Sequence, residues 1–133
     1  MPRTARQISK TQIYHVILRG NEKKNIFLDV EDKARFIDTV YHKKEGNGFC
    51  LYAYCIMDNH VHLVIEELEV SISRIVKRIG TSYASYKSEP IEDEKYLLSA
   101  IRYVHNNPVK AGICKIQDYK WSSYRFYIQE VNK

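Results

Sequence analysis

At residues 57–66 the chain reads Met57-Asp58-Asn59-His60-Val61-His62-Leu63-Val64-Ile65-Glu66. Aspartate and asparagine favour a tight turn, and the alternation of polar and apolar residues that follows predicts a β-strand. Successive strand side chains point to opposite faces, so His60 and His62 share one face and aliphatic residues fill the other. We therefore predict a strand anchored in a core on one face, with two imidazoles side by side on the other.

Two histidines in this arrangement have two interpretations. On a rigid strand they form a two-ligand site for a divalent metal ion, with Glu66 as an acidic group further along the same face. Alternatively, they simply belong to a half-buried sheet surface. The spacing leaves both interpretations open.

Composition limits the classes of protein that need to be considered. The 133 residues suit one domain, and 21 Lys and Arg against 16 Asp and Glu give a net charge of +5, which is compatible with a nucleic-acid partner. The three cysteines form no CxxC pair, which argues against a disulfide framework and favours a reducing cytoplasm. They are Cys50, Cys55 and Cys114. The sequence contains no apolar run of membrane-spanning length, so no membrane association is expected.

Before this stretch, the sequence predicts a strand, a helix and a second strand. The β-branched and aromatic run 13–18 predicts a strand, and residues 19–21 predict the turn that ends it. Asp29 is the predicted N-cap of a helix that runs to about Glu45. The nearly continuous apolar run 49–57 predicts a central strand that pairs antiparallel with the histidine strand.

Two more helices are predicted after the histidine strand. Ser71 is the predicted N-cap of a helix whose apolar residues recur at helical spacing as far as Tyr86. Pro90 is predicted to open a third helix, which Pro108 ends just after Asn107. The polar side of the second helix carries three basic residues, which are either a solvated face or phosphate contacts. They are Arg74, Lys77 and Arg78.

These elements predict an α+β fold, a ferredoxin-like antiparallel sheet with helices packed on one face and the histidine strand in a central position. We expect a single domain over residues 1–133, with a flexible basic arm at 1–10 and an aromatic tail at 113–133 that docks onto the body.

The third helix contains a candidate nucleophile. Most tyrosines are packing residues, but Tyr103 lies beside a buried stripe of an amphipathic helix, and Asn107 follows one turn later on the same face. A metal ion held by two histidines would polarise a phosphodiester, and either Mg²⁺ or Mn²⁺ suits a shell of imidazole, amide and phosphate ligands.

Four motifs, in this order, carry a family resemblance. They are Tyr14-His15-Val16 with Arg19-Gly20-Asn21, Met57-Asp58-Asn59-His60-Val61-His62, Arg102-Tyr103-Val104-His105-Asn106-Asn107-Pro108-Val109-Lys110-Ala111-Gly112, and Trp121-Ser122-Ser123-Tyr124. They cover nearly the whole chain and resemble the single-tyrosine HUH transposases, within them the REP-associated tyrosine transposase branch of the IS200-like transposases.

The resemblance implies a function and a site. His60 and His62 would be metal ligands, Asn107 (or, as an alternative, His105) a third ligand, and Tyr103 the nucleophile that forms a 5′-phosphotyrosine. The implied activity is metal-dependent nicking and joining of single-stranded DNA with hairpin-forming palindromes, by a monomer or a homodimer. We expect DNA contacts from Arg19, Asn21, Arg74, Lys77 and Arg78.

The chain departs from the branch at one place. Ser85-Tyr86 runs directly into Lys87-Ser88, where members usually carry a further segment, so the sequence predicts a short link between the second and third helices. An alternative function is therefore a catalytically impaired or inactive module that binds DNA hairpins. A third reading is a structural zinc site formed by His60, His62 and a cysteine.

Overall fold

The computed structural model describes residues 10–21, 24–43, 48–79, 84–112, 115–116, 119–124 and 126–127. Apart from Lys10, the expected basic arm lies outside these residues. The elements are β1 (Ile13–Gly20), α1 (Val30–Lys43), β2 (Phe49–Ile56), β3 (His60–Glu67), α2 (Ile72–Ile79), β4 (Ala84–Ile91), α3 (Glu94–His105) and α4 (Asn107–Lys110). No helix in these ranges is long and apolar enough to cross a membrane.

The four strands form one antiparallel sheet in the order β2-β3-β1-β4. The succession β1-α1-β2-β3-α2-β4 gives the ferredoxin-like arrangement, so the predicted α+β fold is confirmed. The histidine strand, β3, pairs with β2 on one side and with β1 on the other, and it is therefore central as expected.

One face of the sheet is covered by α1 and α2. The alternate β3 residues Val61, Leu63 and Ile65 are fully buried there, in one cluster with residues of both helices. Apolar surface removed from water contributes about 25 cal/mol for each Å², so this cluster stabilises the packing of both helices on the sheet. It holds the back of β3 rigidly in place.

The prediction that all helices pack on one face is wrong for α3. Ala100 and Val104 of α3 pack with Ala53 and Val64 on the opposite face, the one to which the alternation of β3 assigns His60 and His62. Sequence periodicity shows which stripe of a helix is buried but not which side of a sheet covers it.

The prediction that the second helix continues to Tyr86 is also wrong. That helix ends at Ile79, and residues 84–91 form β4, which pairs with β1 along its whole length. Without β4, the outer edge of β1 would present unpaired backbone groups, so tertiary pairing overrides the helical spacing. The predicted short link between two helices is thus an edge strand.

The third helix begins later than the predicted start at Pro90, for the same reason. Pro90 pairs with Tyr14 in β4, an edge strand, where proline is tolerated. The helix begins at Glu94 instead, and the Asp93 side chain caps it by accepting a hydrogen bond from the Tyr96 amide at 2.7 Å.

Residues 121–123 of the aromatic tail lie along the free edge of β2. Ile56 donates a backbone hydrogen bond to Trp121 O at 2.8 Å, and Ser123 donates one to Tyr54 O at 3.0 Å. Residues 121–123 therefore cover an edge that would otherwise be open to pairing with another chain.

Gly20 lets a loop pack tightly against the turn that precedes His60. A Cβ at Gly20 would lie 1.9 Å from the backbone oxygen of Lys24, a distance that no side chain can tolerate. The same region is held by hydrogen bonds from the Gly20 amide to Asn59 O and from the Ile26 amide to Asp58 O, at 3.0 and 2.8 Å.

Gly20→Ala is therefore expected to lower the free energy of unfolding by about 1–3 kcal/mol in urea denaturation, because the loop must move away. Gly48→Ala is the matched control. Its added Cβ would meet Lys43 O only at 3.4 Å, so its effect should stay within about 0.5 kcal/mol. Equal effects of the two substitutions would show that the Gly20 contact does not constrain the loop.

Candidate active site

The candidate site lies where β3, β1 and α3 meet. His60 and His62 open β3, and the register places them directly opposite Arg19 and Ile17 of β1. Residues directly opposite one another in an antiparallel pair share a face, so this face carries the two imidazoles beside an arginine. The rings of His60 and His62 lie edge to face, with centroids 5.1 Å apart.

His60 is half-buried and forms side-chain hydrogen bonds with Asn59 and Asn107. Its Nδ1 lies 2.7 Å from Asn59 Oδ1, an acceptor, so Nδ1 of His60 carries the hydrogen. Burial is the main cause of a lowered pKa for His60, while a side-chain hydrogen bond with Asn107 acts in the opposite direction. The imidazole is consequently neutral near pH 7.

His62 is almost completely buried, with 2% of its surface exposed. Burial, followed by the neighbouring His15, His60 and Arg19, lowers the pKa of His62 from 6.5 to about 3. A neutral imidazole is the form that binds a metal. His62 is thus fixed in a ligand-competent protonation state.

His15 is a further residue of the site, although the motif Tyr14-His15-Val16 by itself predicts no role for it. Its Nε2 lies 3.0 Å from Nδ1 of His62, and the two rings stack with centroids 5.2 Å apart. The alternation of β1 places His15 on the same face as Arg19, and this is the feature of the sequence from which its place near the site could be predicted. Its partner on β3 depends on the strand register, which the sequence does not contain.

The structure places Tyr103 beside these histidines, because α3 covers the sheet face that carries them. Its ring centroid lies 5.6 Å from that of His62 and 5.8 Å from that of His15, both in edge-to-face contact. The side chain is nevertheless 45% exposed, and the Lys110 ammonium lies 4.7 Å from the ring centroid. The phenol is therefore held at the site and open to a large ligand.

Asn107 and His105 take different positions. The Asn107 side chain bonds to His60 and donates from Nδ2 to Tyr103 O at 3.3 Å, so it joins the site. The His105 ring is buried elsewhere, with Nε2 2.7 Å from Ser123 Oγ and with an edge-to-face contact to Tyr124. His105 is therefore not positioned to be a metal ligand. Its hydrogen bond with Ser123 connects α3 to the tail instead.

An open cleft of about 360 Å³ borders Tyr103. It is lined by β1, β4 and α3, through His15, Ile17, Glu89, Tyr96, Ser99, Ala100 and Tyr103. A second groove follows the outer edge of the sheet and is lined by Arg19 and Lys87 among others. Both are lined by Ile17 and Glu89, and the second adds Arg19 and Lys87 to the surface near the tyrosine.

Other predicted residues are not brought to the site. Glu66 is four residues beyond His62, about 13 Å along the strand, and its carboxylate accepts a hydrogen bond from the Tyr52 hydroxyl at 2.7 Å. Asn21 follows β1 in an exposed position. Arg74, Lys77 and Arg78 are exposed on α2, which packs on the opposite face of the sheet from the histidines.

The donor groups fit a divalent cation. In both His60 and His62, Nδ1 lies at hydrogen-bond distance from a neighbouring side chain. In metal-binding histidines such a bond orients the ring so that the other nitrogen, here Nε2, faces the metal. The Asn107 amide adds an oxygen donor of the kind that Mg²⁺ and Mn²⁺ accept. No cysteine forms a group of three possible ligands with the two histidines in the described ranges, which speaks against the structural zinc site.

Acid should destabilise the fold through these buried histidines. Burial lowers the pKa of His105 to about 4 and that of His62 to about 3, whereas the unfolded chain binds protons near 6.5. Below about pH 6.5 the unfolded state therefore binds more protons, and the free energy of unfolding should fall by at least about 2 kcal/mol between pH 7 and pH 4.

Thermal denaturation across this pH range measures the effect. His105→Gln keeps a hydrogen-bonding group toward Ser123 but cannot titrate, so its stability should depend less steeply on pH. An unchanged slope in this variant would contradict the role of His105.

A family model described as "Transposase IS200 like" matches residues 8–99, more than half of the chain; Tyr103 and Asn107 lie beyond the match. The fold is similar to that of a REP-associated tyrosine transposase solved bound to a REP hairpin, with a TM-score of 0.80 and 16% sequence identity. That similarity covers 97% of this chain and 86% of the other.

A second structure, the hypothetical protein ORF119 from Sulfolobus islandicus rod-shaped virus 1, is 18% identical with a TM-score of 0.44. It covers 74% of this chain and 80% of the viral protein. No curated protein sequence gives a significant match.

Proposed function

Since the chain belongs to the IS200-like transposase family, we propose that it cuts and rejoins single-stranded DNA at hairpin-forming palindromes. Tyr103 is the nucleophile, and His60, His62 and Asn107 hold a divalent metal ion. The similar REP-associated transposase was solved with a REP hairpin, which supports a DNA hairpin as the substrate.

One observation carries this proposal: the exposed Tyr103 ring is in contact with two buried histidines, His15 and His62. The Tyr103 ring is 5.6 Å from that of His62, and the side chain of Asn107, the first residue of α4, is hydrogen-bonded to His60. An exposed phenol beside these imidazoles is the arrangement that a nucleophile next to a metal-bound phosphate would need. The strand β4 between α2 and α3 is compatible with this assembly, so the departure from the family pattern does not separate the parts.

The cutting step exchanges one phosphate ester for another. The Tyr103 oxygen loses its proton and bonds to phosphorus, while the bond from phosphorus to the 3′ oxygen breaks. The departing oxygen takes up a proton and becomes a free 3′-hydroxyl, and the other fragment stays linked to Tyr103 through its 5′ phosphate. In the joining step a 3′-hydroxyl attacks this phosphotyrosine, and Tyr103 leaves with a proton.

The metal-binding residues determine where the phosphate is held. A bound Mg²⁺ or Mn²⁺ would supply electrostatic stabilisation of the negative charge that develops on the phosphate. His60 and His62 are fixed by a strand whose back is buried in the core, so they hold their geometry as the substrate binds. Asn107 begins α4 directly after α3, and its Nδ2 donates to Tyr103 O at 3.3 Å, which ties the third donor to the segment that carries the nucleophile.

Two basic surfaces lie on opposite sides of the sheet, and we assign them to different parts of the DNA. Arg19 and Lys87 line the groove next to the site and would contact the single strand that is cut. Arg74, Lys77 and Arg78 on α2 would contact phosphates of the hairpin away from the cut.

Substitutions on the two surfaces test this assignment. Lys87→Ala should weaken binding of a hairpin with a single-stranded tail but not of the bare hairpin, whereas Lys77→Ala should weaken both. Each lost phosphate contact should reduce the slope of log K against log salt by roughly 0.7–1, measured by fluorescence anisotropy. An unchanged salt slope in Lys77→Ala would remove α2 from the DNA interface.

The function itself is tested with end-labelled single-stranded hairpin DNA and Mn²⁺. We expect a protein–DNA adduct that survives denaturing electrophoresis, together with a free 3′-hydroxyl on the released fragment. If the protein binds the hairpin but yields neither product, it is a binding module without catalysis. Chelation of the metal before mixing should suppress the adduct.

A further inference from the structure

His15 is buried, with 6% of its surface exposed, yet it makes a polar contact at the centre of the site. Its Nε2 faces Nδ1 of His62 at 3.0 Å, a normal hydrogen-bond distance. Glu89 faces His15 from β4. One hydrogen lies between the two ring nitrogens of this bond, and either ring can supply it.

Only one of the two possible arrangements suits a metal ligand. If Nε2 of His15 carried the shared hydrogen, Nδ1 of His62 would accept it, and the hydrogen of His62 would reside on Nε2. That nitrogen could not then bind a cation. If Nδ1 of His62 is the donor, its Nε2 keeps a free lone pair, and no hydrogen bond engages this Nε2 among the described residues.

We propose that His15 is a positioning residue, which accepts a hydrogen bond from Nδ1–H of His62 and so leaves Nε2 of His62 available to the metal ion. This inference rests on the proposed function, because it takes His62 to be a ligand. The same bond restrains the plane of the His62 ring, since the stacked His15 ring is held in β1. His15 would not touch the metal or the DNA phosphate itself.

Nitrogen-15 NMR of the metal-free protein tests the hydrogen's location directly. We expect His62 to be in the form protonated at Nδ1, whereas histidine in water favours protonation at Nε2. In His15→Leu, which removes the acceptor, His62 should shift towards the Nε2-protonated form. In His15→Gln, the amide oxygen can occupy the place of Nε2, so the Nδ1-protonated form should be retained.

Metal affinity provides the second measurement. Loss of a residue that orients a ligand typically costs about 10–100-fold in affinity. His15→Leu should therefore weaken Mn²⁺ binding, followed by electron paramagnetic resonance of free Mn²⁺, by about 10–100-fold. His15→Gln should remain within about threefold of the unmutated protein. Ile17→Val, a change directly opposite His62 without a hydrogen bond, controls for altered packing.

The outcomes separate this inference from the proposed function. If His62 is protonated at Nε2 in the unmutated protein, or if His15→Leu leaves its protonation pattern unchanged, the inference is wrong whatever the enzyme does. Equal Mn²⁺ affinity in folded His15→Leu would also overturn it. If the unmutated protein binds no Mn²⁺, the metal assignment fails together with the proposed function, even where the NMR result is as expected.

Discussion

Replacing Tyr103 with phenylalanine is expected to abolish the covalent protein–DNA adduct, with a fall in cleavage rate of more than about 10³-fold. The ring contacts with His15 and His62 should persist, because only the hydroxyl is lost. Hairpin affinity and the free energy of unfolding should therefore change little. Denaturing electrophoresis of labelled DNA with Mn²⁺ measures the adduct, and anisotropy measures binding.

Tyr96 offers a matched control for this substitution. It lies on the same stripe of α3, lines the same cleft and is also 45% exposed. Tyr96→Phe should form the adduct at close to the unmutated rate. An undiminished adduct in Tyr103→Phe, together with its loss in Tyr96→Phe, would transfer the nucleophilic role to Tyr96.

The second large effect is expected from His60→Ala combined with His62→Ala. Removing both imidazoles should reduce Mn²⁺ affinity by more than about 100-fold and eliminate detectable cleavage, because a single amide donor cannot retain the ion. Titration calorimetry with Mn²⁺ measures the affinity. Hairpin binding in the absence of metal should survive, since the proposed phosphate contacts of Arg19 and the α2 residues remain.

Circular dichroism must accompany this experiment, because His62 is buried and its truncation leaves a cavity. His42→Ala, on α1 at the opposite face of the sheet, is the control for loss of a histidine away from the site. If the folded double variant kept its Mn²⁺ affinity and its cleavage, the site would have to be assigned to other residues.

Several features of the site follow from local sequence alone. The alternation of β3 places His60 and His62 on one face because strand side chains have a period of two residues. The helical period predicts Tyr103 and Asn107 one turn apart on one stripe. In the structure α3 ends at His105 rather than before Pro108, and Asn107 begins α4, yet its Nδ2 still donates to Tyr103 O one turn back. These relations depend on backbone geometry over a few neighbouring residues, so they do not require knowledge of the partner elements.

The edge strand β4 shows where this reasoning fails. The spacing of Tyr86 from the preceding apolar residues fits a helix, and Pro90 resembles a helix start, yet both residues belong to a strand. A ferredoxin-like sheet needs a strand after its second helix, so the predicted fold conflicted with the predicted elements. Pairing with β1 resolves the conflict, because it satisfies backbone groups over eight registered residue pairs.

The sequence by itself determined the two histidines on one strand face, the tyrosine and asparagine on one helical stripe, and the α+β class. Only the tertiary structure decided that α3 covers the histidine face, that His15 meets His62, and that α2 carries its basic residues on the opposite side. The reason is physical: each of these depends on strand register or on the side of the sheet to which a helix crosses. Both are set by contacts between residues far apart in the chain, which no local periodicity encodes.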